Sequence, residues 1–311
     1  MLYVHLPLAS EEVAYLKQQV ENLEVHLAQD HTESENRNAC QAATLVLGNP
    51  PPQWLLEADK LRWVQLSSAG FSQYTELAGR ELPFIITNSA GLFGVPVAET
   101  ALAGILALMR GIPQLIFDKE RKQWEGAKLR PELATLTGKR VLVLGTGSIG
   151  GTFRKLLRGF NCAVESMGRH DNADFQGLEA LDIRLPKADV VVATLPDTAE
   201  TRDMFDRDRI ALLNNSCIFV NVGRGSLVDE AALLDRLQKG TLGGAVLDVT
   251  RNEPLAEDDP LWRAPRTILT QHSGGGAQEE NRKIVDRFLE NFALLKTGKS
   301  PEHRVDLERG Y

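Results

Sequence analysis

The chain has 311 residues, 43% of them hydrophobic and 25% charged, an ordinary globular composition whose length allows about two domains of roughly 150 residues. Its 35 Lys and Arg against 42 Asp and Glu leave a formal charge of −7, which argues against nucleic acid or an anionic membrane as partner. Disordered and fibrous classes do not fit this composition.

In chain order, LYVHL at residue 2 opens a series of short apolar runs. A helical pattern with Val13, Leu16, Val20 and Leu23 on one face follows, then VHLA, ATLVLG, WVQLSS and PFIITN. Val95 to Met109 is apolar and helical, yet Glu99, Thr100 and Gly104 interrupt it, so it falls short of the ~18 uninterrupted apolar residues of a membrane span. The N-terminus MLYVHLPLASEE lacks the basic start of a secretory signal, and a cytoplasmic protein is expected. DKERKQWEGAK reads as a solvated helix face. A second series begins at RVLVLG and continues through AVESM, DVVVATL, CIFVNV, GGAVLDV and TILTQ. Runs rich in β-branched residues, separated by helices, predict parallel sheets covered on both faces. One helix sets Ile149, Phe153, Leu156, Leu157 and Phe160 against its sheet. Another has Asp229 as N-cap, Leu233, Leu234 and Leu237 as its stripe, and Gly240 past its end. The last carries Ile284, Phe288, Phe292 and Leu295 and stops near Gly298. Two lobes with a ligand cleft between them are expected.

Cys40, Cys162 and Cys217 are too widely spaced for a zinc set or a disulfide framework, and Cys217 inside CIFVNV reads as a small buried hydrophobe. Trp54, Trp63, Trp124 and Trp262 are scattered and read as packing residues. His5, His26, His31, His170 and His303 have no catalytic setting. Neither Ser226 nor Ser273 lies in a GxSxG elbow.

VLVLGTGSIG places Gly145, Gly147 and Gly150 directly after a strand and before an amphipathic helix. This is the context in which GxGxxG binds a dinucleotide: the first glycine allows the tight turn, the second the approach of a pyrophosphate, and the third close helix packing. The N–H groups around Ser148 and Ile149 at the helix start face the anion. About 20 residues on, where an NAD site carries Asp or Glu, the chain reads Met167-Gly168-Arg169-His170. Glu165 lies upstream. An Arg beside the gap favours a 2′-phosphate, so NADP is expected over NAD, a solvated loop arginine being the alternative.

Near the ends of three later strands stand Arg224 in NVGRG, Glu253 in LDVTRNEPL and His272 in LTQHSGG. In an open parallel sheet those ends face the ligand crevice. Each has a bland reading as surface cation, helix-entry acid or loop histidine, but the three together downstream of a dinucleotide loop point to catalysis.

With Val97-Ala98-Glu99, LVLGTGSIG, LPDTAETRDMF, NVGRGSLVDE, LDVTRNEPL, TQH and the VDLERGY terminus in order, nearly the whole chain resembles the D-isomer-specific 2-hydroxyacid dehydrogenases, most of all the shorter glyoxylate/hydroxypyruvate reductases. The resemblance implies an α/β fold of two doubly wound parallel-sheet lobes. One is a flavodoxin-like substrate lobe of residues 1–92 plus 276–311; the other is an inserted Rossmann cofactor lobe of residues 93–275. It implies catalytic roles for Arg224, Glu253 and His272, and carboxylate binding by the N–H groups of Ser68-Ala69-Gly70-Phe71 with Arg224. Cofactor contacts from Gly168, Arg169, Leu195, Pro196, Thr201, Val222, Gly223, Asp248 and His272 also follow, as does a homodimer through Val95–Met109. Gln271 stands where the family usually has Pro, Thr250 where it has an aromatic residue, and Ser72 where it has Asp, which leaves the particular acid open.

On this reading Arg224 would fork across the substrate carboxylate and carbonyl, the His272 imidazolium would protonate the oxygen as hydride arrives, and Glu253 would orient the ring. Some relatives act as transcriptional corepressors, so a dinucleotide-sensing interaction protein is the alternative, with no long tails or added modules expected to serve it. Formate oxidation on the same fold is disfavoured by Glu253, where that branch has Gln.

Overall fold

The computed structural model describes residues Met1–Gly310; Tyr311, the last residue of the VDLERGY motif, lies outside them. All eleven apolar runs singled out above form strands. The chain divides into two compact units, Met1–Phe93 with Ala277–Tyr311, and Gly94–Gly276, each break one residue later than expected.

The first unit holds β1 (Leu2–His5), β2 (Val25–Leu27), β3 (Leu45–Gly48), β4 (Trp63–Gln65) and β5 (Ile85–Thr87) in the order β2-β1-β3-β4-β5, all neighbours parallel. This is the flavodoxin-like doubly wound order. Alternation along each strand divides the core by face: Leu2, Val4, Leu47 and Trp63 pack on one side, Tyr3, Val46 and Val64 on the other. The C-terminal helix Glu280–Lys296 belongs here, burying Ile284, Val285 and Phe288. Phe288 stacks on Trp63 with centroids 4.9 Å apart, and the Trp63 indole N–H donates to Thr87 Oγ1 at 2.9 Å. The first helix is shorter than its apolar spacing predicts: it covers Ser10–Gln19, and Val20 and Leu23 lie in the turn beyond, where the Leu23 N–H bonds the Val20 carbonyl. Val20 is buried all the same, because a turn can face a core as well as a helix can.

The second unit holds β6 (Arg140–Leu144), β7 (Ala163–Met167), β8 (Val190–Ala193), β9 (Ile218–Asn221), β10 (Gly244–Leu247) and β11 (Thr267–Leu269) in the order β11-β10-β9-β8-β6-β7, again all parallel. A single parallel bridge, Met167 to Phe175, stands outside β7 in the place of a third strand, and with it β6 to β10 follow the dinucleotide-binding winding 3-2-1-4-5-6, β11 adding a seventh position at the far edge. The chain reverses direction between β6 and β8, so the loop after β6 sits at the switch point.

The helix Gly94–Met109 buries Val97, Ala98, Ala101, Ile105, Leu108 and Met109 and leaves Val95 exposed. No single helix is long and apolar enough to cross a membrane. The segment 118–128 is not one solvated helix face: the helix Ile112–Glu120 stops within it, a new one starts at Gly126, Lys122 between them has φ +57°, and Asp118 is buried, accepting from Gln114 at 2.7 Å. Trp124 in that break is 99% exposed, so it packs on nothing in its own chain, unlike buried Trp54 and Trp63.

Candidate active site

The loop after β6 requires its glycines. A Cβ on Gly150 would meet the Gly145 carbonyl oxygen at 2.0 Å, and Gly145 has φ +109°, where an L side chain is rarely tolerated. Around Gly147, by contrast, a Cβ would find nothing within 4 Å. That open space over the start of the helix Ser148–Leu157 is where a bulky anion can approach the backbone. The first intrahelical bond runs from the Gly151 N–H to the Gly147 carbonyl, so the amides of Ser148, Ile149 and Gly150 precede the helical ladder and point outward. The observed chemistry fits a dinucleotide pyrophosphate.

Two further loops close on this one. A Cβ on Gly223 would meet the Leu195 carbonyl at 2.5 Å, so Val222-Gly223 and Leu195-Pro196 lie backbone to backbone. Thr201 is buried, its hydroxyl donating to the Pro196 carbonyl at 2.6 Å and accepting from the Thr198 N–H at 2.9 Å. It shapes the loop from within. Past β7, Gly168 fits closely against Thr146 and Ala173, and Arg169 makes a 2.6 Å ion pair with Glu200. The one acid on β7, Glu165, is turned to the exposed side and binds Arg184 at 2.9 Å.

Arg224 follows β9 and is half-buried. Asn221, the last residue of that strand, holds the turn by donating to the Arg224 carbonyl at 2.9 Å and accepting from the Gly223 N–H at 3.1 Å. Burial lowers the guanidinium from its ordinary value while the charges of Glu253 and Asp197 oppose that shift. A cation so placed gains from an anionic ligand.

Glu253 Oε2 lies 2.6 Å from His272 Nδ1, and its Oε1 accepts from the Thr250 N–H at 2.9 Å. With Nδ1 engaged, Nε2 is the nitrogen left to face a ligand. A cavity of about 300 Å³ bounded by Thr250, Leu255, Trp262 and Gln271 opens beside the pair. His272 is held in the left-handed region, φ +55°, after Gln271 at +52°. Proline is fixed near −65°, so this backbone is one that the family's usual residue before the histidine cannot adopt. Asp248, buried at the end of β10, fastens the turn: its carbonyl accepts from the His272 N–H at 2.5 Å and its Oδ1 from Thr270 Oγ1 at 2.5 Å and the Gly274 N–H at 2.9 Å.

In the first unit, the loop after β4 has its carbonyls occupied and its amides open. The Ser68 carbonyl accepts from the Ser89 N–H, that of Ala69 from Asn88 Nδ2 at 2.7 Å, and that of Gly70 from Ser68 Oγ at 2.5 Å. Among the described residues the N–H groups of Ser68, Ala69 and Gly70 make no hydrogen bond, which leaves three donors for an anion. Asn49 braces this loop through Ser67 and Ser68. Sequence reasoning passed over Asn49, Asn88, Asn221 and Asp197; an Asn beside a strand end is the signal that each of the first three offered.

Of the remaining polar singletons, Cys40 and Cys217 are buried, which pushes both thiols up to about 12 and leaves them unreactive.

A glycine-bounded helix start at the switch point of a parallel sheet, with a cation and an imidazole–carboxylate pair on later strand ends, defines a dinucleotide-dependent α/β oxidoreductase. The model of the D-isomer specific 2-hydroxyacid dehydrogenase NAD binding domain matches residues 102–274, more than half of the chain, and the chain belongs to that family. It is similar to glyoxylate/hydroxypyruvate reductase B of Pectobacterium atrosepticum, 30% identical over 266 residues, covering 83% of each chain. Among solved structures it is similar to a D-isomer specific 2-hydroxyacid dehydrogenase family protein from Aeromonas salmonicida, with 28% identity, 98% of each chain covered and a TM-score of 0.83. It also matches a D-isomer specific 2-hydroxyacid dehydrogenase from Xanthobacter autotrophicus, solved with NADPH and MES, with 27% identity, 100% of each chain covered and a TM-score of 0.80. The protein is thus an NAD(P)-dependent oxidoreductase acting on 2-hydroxy acids and their 2-oxo counterparts.

Proposed function

We propose that the protein reduces a small 2-oxo acid of the glyoxylate or hydroxypyruvate type to the D-2-hydroxy acid, with NADPH preferred over NADH. The observation that carries the reading is the 2.6 Å contact between His272 Nδ1 and Glu253 Oε2, which leaves one ring nitrogen positioned to deliver a proton. The dinucleotide, when bound, supplies the hydride to the carbonyl carbon. Arg224 spans the carboxylate and carbonyl oxygens with its planar fork, fixing which face of the carbonyl is presented, and the open amides of Ser68, Ala69 and Gly70 hold the acid group. His272 gives its Nε2 proton to the carbonyl oxygen, and Glu253 keeps the ring oriented. The lack of an acid directly at the end of β7, where Gly168 and Arg169 follow Met167, supports NADPH. Glu200 is the anion Arg169 holds before a 2′-phosphate takes its place.

The same reading includes a homodimer through Val95–Met109, supported by exposed apolar residues on that helix and on the next, Ile112–Glu120: Val95 at 53%, Ile112 at 43%, Ile116 at 54% and Phe117 at 44%. The solution mass from light scattering tests it.

The deciding experiment follows NADPH absorbance with glyoxylate, hydroxypyruvate, pyruvate and phenylpyruvate, and repeats the series with NADH. Turnover of the first two acids, faster with NADPH, is expected; no turnover of any 2-oxo acid overturns the reading. Because reduction consumes the His272 proton, kcat/KM for reduction should fall as pH rises through the imidazole titration, while that for oxidation rises over the same range.

A further inference from the structure

The loops that carry Arg224 and Glu253 are built against each other. A Cβ on Gly225 would lie 2.0 Å from the carbonyl carbon and oxygen of Thr250 and 2.4 Å from Arg251 N, so the two main chains touch with no side chain between them. Arg251 is fastened at both its ends to the segment that follows Arg224. Its guanidinium donates to the Val228 carbonyl at 2.9 Å and the Ser226 carbonyl at 3.4 Å and also reaches the Asp203 carboxylate. Its main-chain N–H donates to Glu230 Oε1 at 2.6 Å. Glu230 is the first residue of the helix Glu230–Gln238, capped by Asp229. The next amide back along the loop, that of Thr250, is the one that holds Glu253 Oε1.

We infer that Glu230 is a positioning residue for the reaction: by gripping the Arg251 amide it sets the Thr250–Glu253 turn, and through that turn the alignment of Glu253 with His272. The inference rests on the role given to the His272–Glu253 pair above. Glu230 touches neither substrate nor dinucleotide on this account. Burial raises its carboxyl above the ordinary range, with Asp259 and Glu253 adding to the rise and the Arg251 amide and guanidinium opposing it. A carboxylate held at such a disadvantage, where a neutral side chain would suffice to begin a helix already capped by Asp229, is accounted for by the short charge-assisted bond it makes. The charged groups facing Glu253 and His272 are then each tied to the next: Glu230 to Arg251, Arg251 to Asp203, Arg224 to Glu253 and Asp197 by their fields.

Four variants, Glu230→Ala, Glu230→Gln, Glu253→Gln and the double Glu230→Ala/Glu253→Gln, separate this from a merely structural role. The His272 ring titration is read by NMR in dinucleotide-free protein, beside the pH profile of reduction. In Glu230→Ala the titration midpoint should move from its wild-type value, with the basic limb of the profile moving alike. The kcat should drop about tenfold, within the ~10² that a small misplacement costs, at unchanged dinucleotide KM. Glu230→Gln keeps an oxygen acceptor and should restore the midpoint. The double variant should be no worse than Glu253→Gln, since both changes act through one group. A wild-type midpoint in Glu230→Ala, or additive losses in the double variant, overturns the inference. Should Glu230→Ala not fold, Glu230→Asn, one methylene shorter, withdraws the acceptor with less disturbance. If no 2-oxo acid is reduced at all, the functional reading fails, while the titration still decides whether Glu230 aligns the pair.

Discussion

The loop after β6 and the loop after β11 both enter the left-handed region of the backbone, with opposite choices of residue. At Gly145, φ is +109°, and a Cβ would lie 2.5 Å from Thr194 Oγ1, so the side chain has been dispensed with to let the chain turn tightly. At Gln271 and His272, φ is +52° and +55°, yet both carry full side chains, a strain of order 1–3 kcal/mol for each non-glycine residue so placed. On the proposed mechanism the first loop needs a tight turn and close backbone approach, and the second needs an imidazole. Where a side chain is the function, strain is tolerated and a buried scaffold holds it, here Asp248 with Thr270 and Gly274.

The sharpest break of this comparison is His272→Gly. It should lower kcat by about 10² to 10⁴ through loss of the acid, while the melting temperature stays level or rises, because glycine accepts the left-handed backbone. A kcat within tenfold of wild type would show that the imidazole is not what the strain maintains. Gly150→Ala is the counterpart in the other loop. Its Cβ would strike the Gly145 carbonyl at 2.0 Å, so a loss of about 1–3 kcal/mol in denaturant unfolding is expected, together with weaker dinucleotide binding by fluorescence titration. Unchanged binding would remove the loop from the cofactor site.

Smaller effects attend Gln271. Gln271→Gly should stabilise the protein by up to about 2 kcal/mol, the relieved strain of order 1–3 kcal/mol less the roughly 0.5–1 kcal/mol that glycine's extra freedom costs, and Gln271→Pro should destabilise it, since the ring forbids φ +52°; equal stability of the two, measured by chemical unfolding, would show that the turn simply rearranges. The least effect falls at the edge of the cofactor loop. Arg169→Asp should erase the preference for NADPH over NADH, and Glu200→Gln should tighten NADPH alone by a few-fold, the size of an exposed ion pair. An Arg169→Asp protein with unaltered preference in paired Kd measurements would assign the 2′-phosphate elsewhere.

Much of this molecule can be read from residues in line. Periodicity marks all eleven strands because a buried parallel strand must be a run of apolar, β-branched residues. The glycines at 145, 147 and 150, the Asp229 cap and the stop at Gly298 are local requirements of backbone geometry, and local geometry is written locally. The identities of Arg224, Glu253 and His272 are legible for the same reason: each stands at a strand end, and the winding of the sheet brings strand ends together.

What the chain order alone did not decide is how those residues are held. Nothing in Leu23 or Trp124 says that a helix ends before one and that the other faces solvent, because the hydrophobic pattern is the same for a helix and a turn. The grip of Glu230 on Arg251, 21 residues apart, the 26-residue reach of Asp248 to Gly274 and the bracing of the Ser68 loop by Asn49 and Asn88 arise only when strands pair. A hydrogen bond forms between whatever groups the packed backbone brings within 3 Å, not between groups that any spacing rule connects. Composition and periodicity determined the sheets and the chemistry at their ends; the tertiary structure determined which carboxylate is free to orient an imidazole and which is spent on holding a loop.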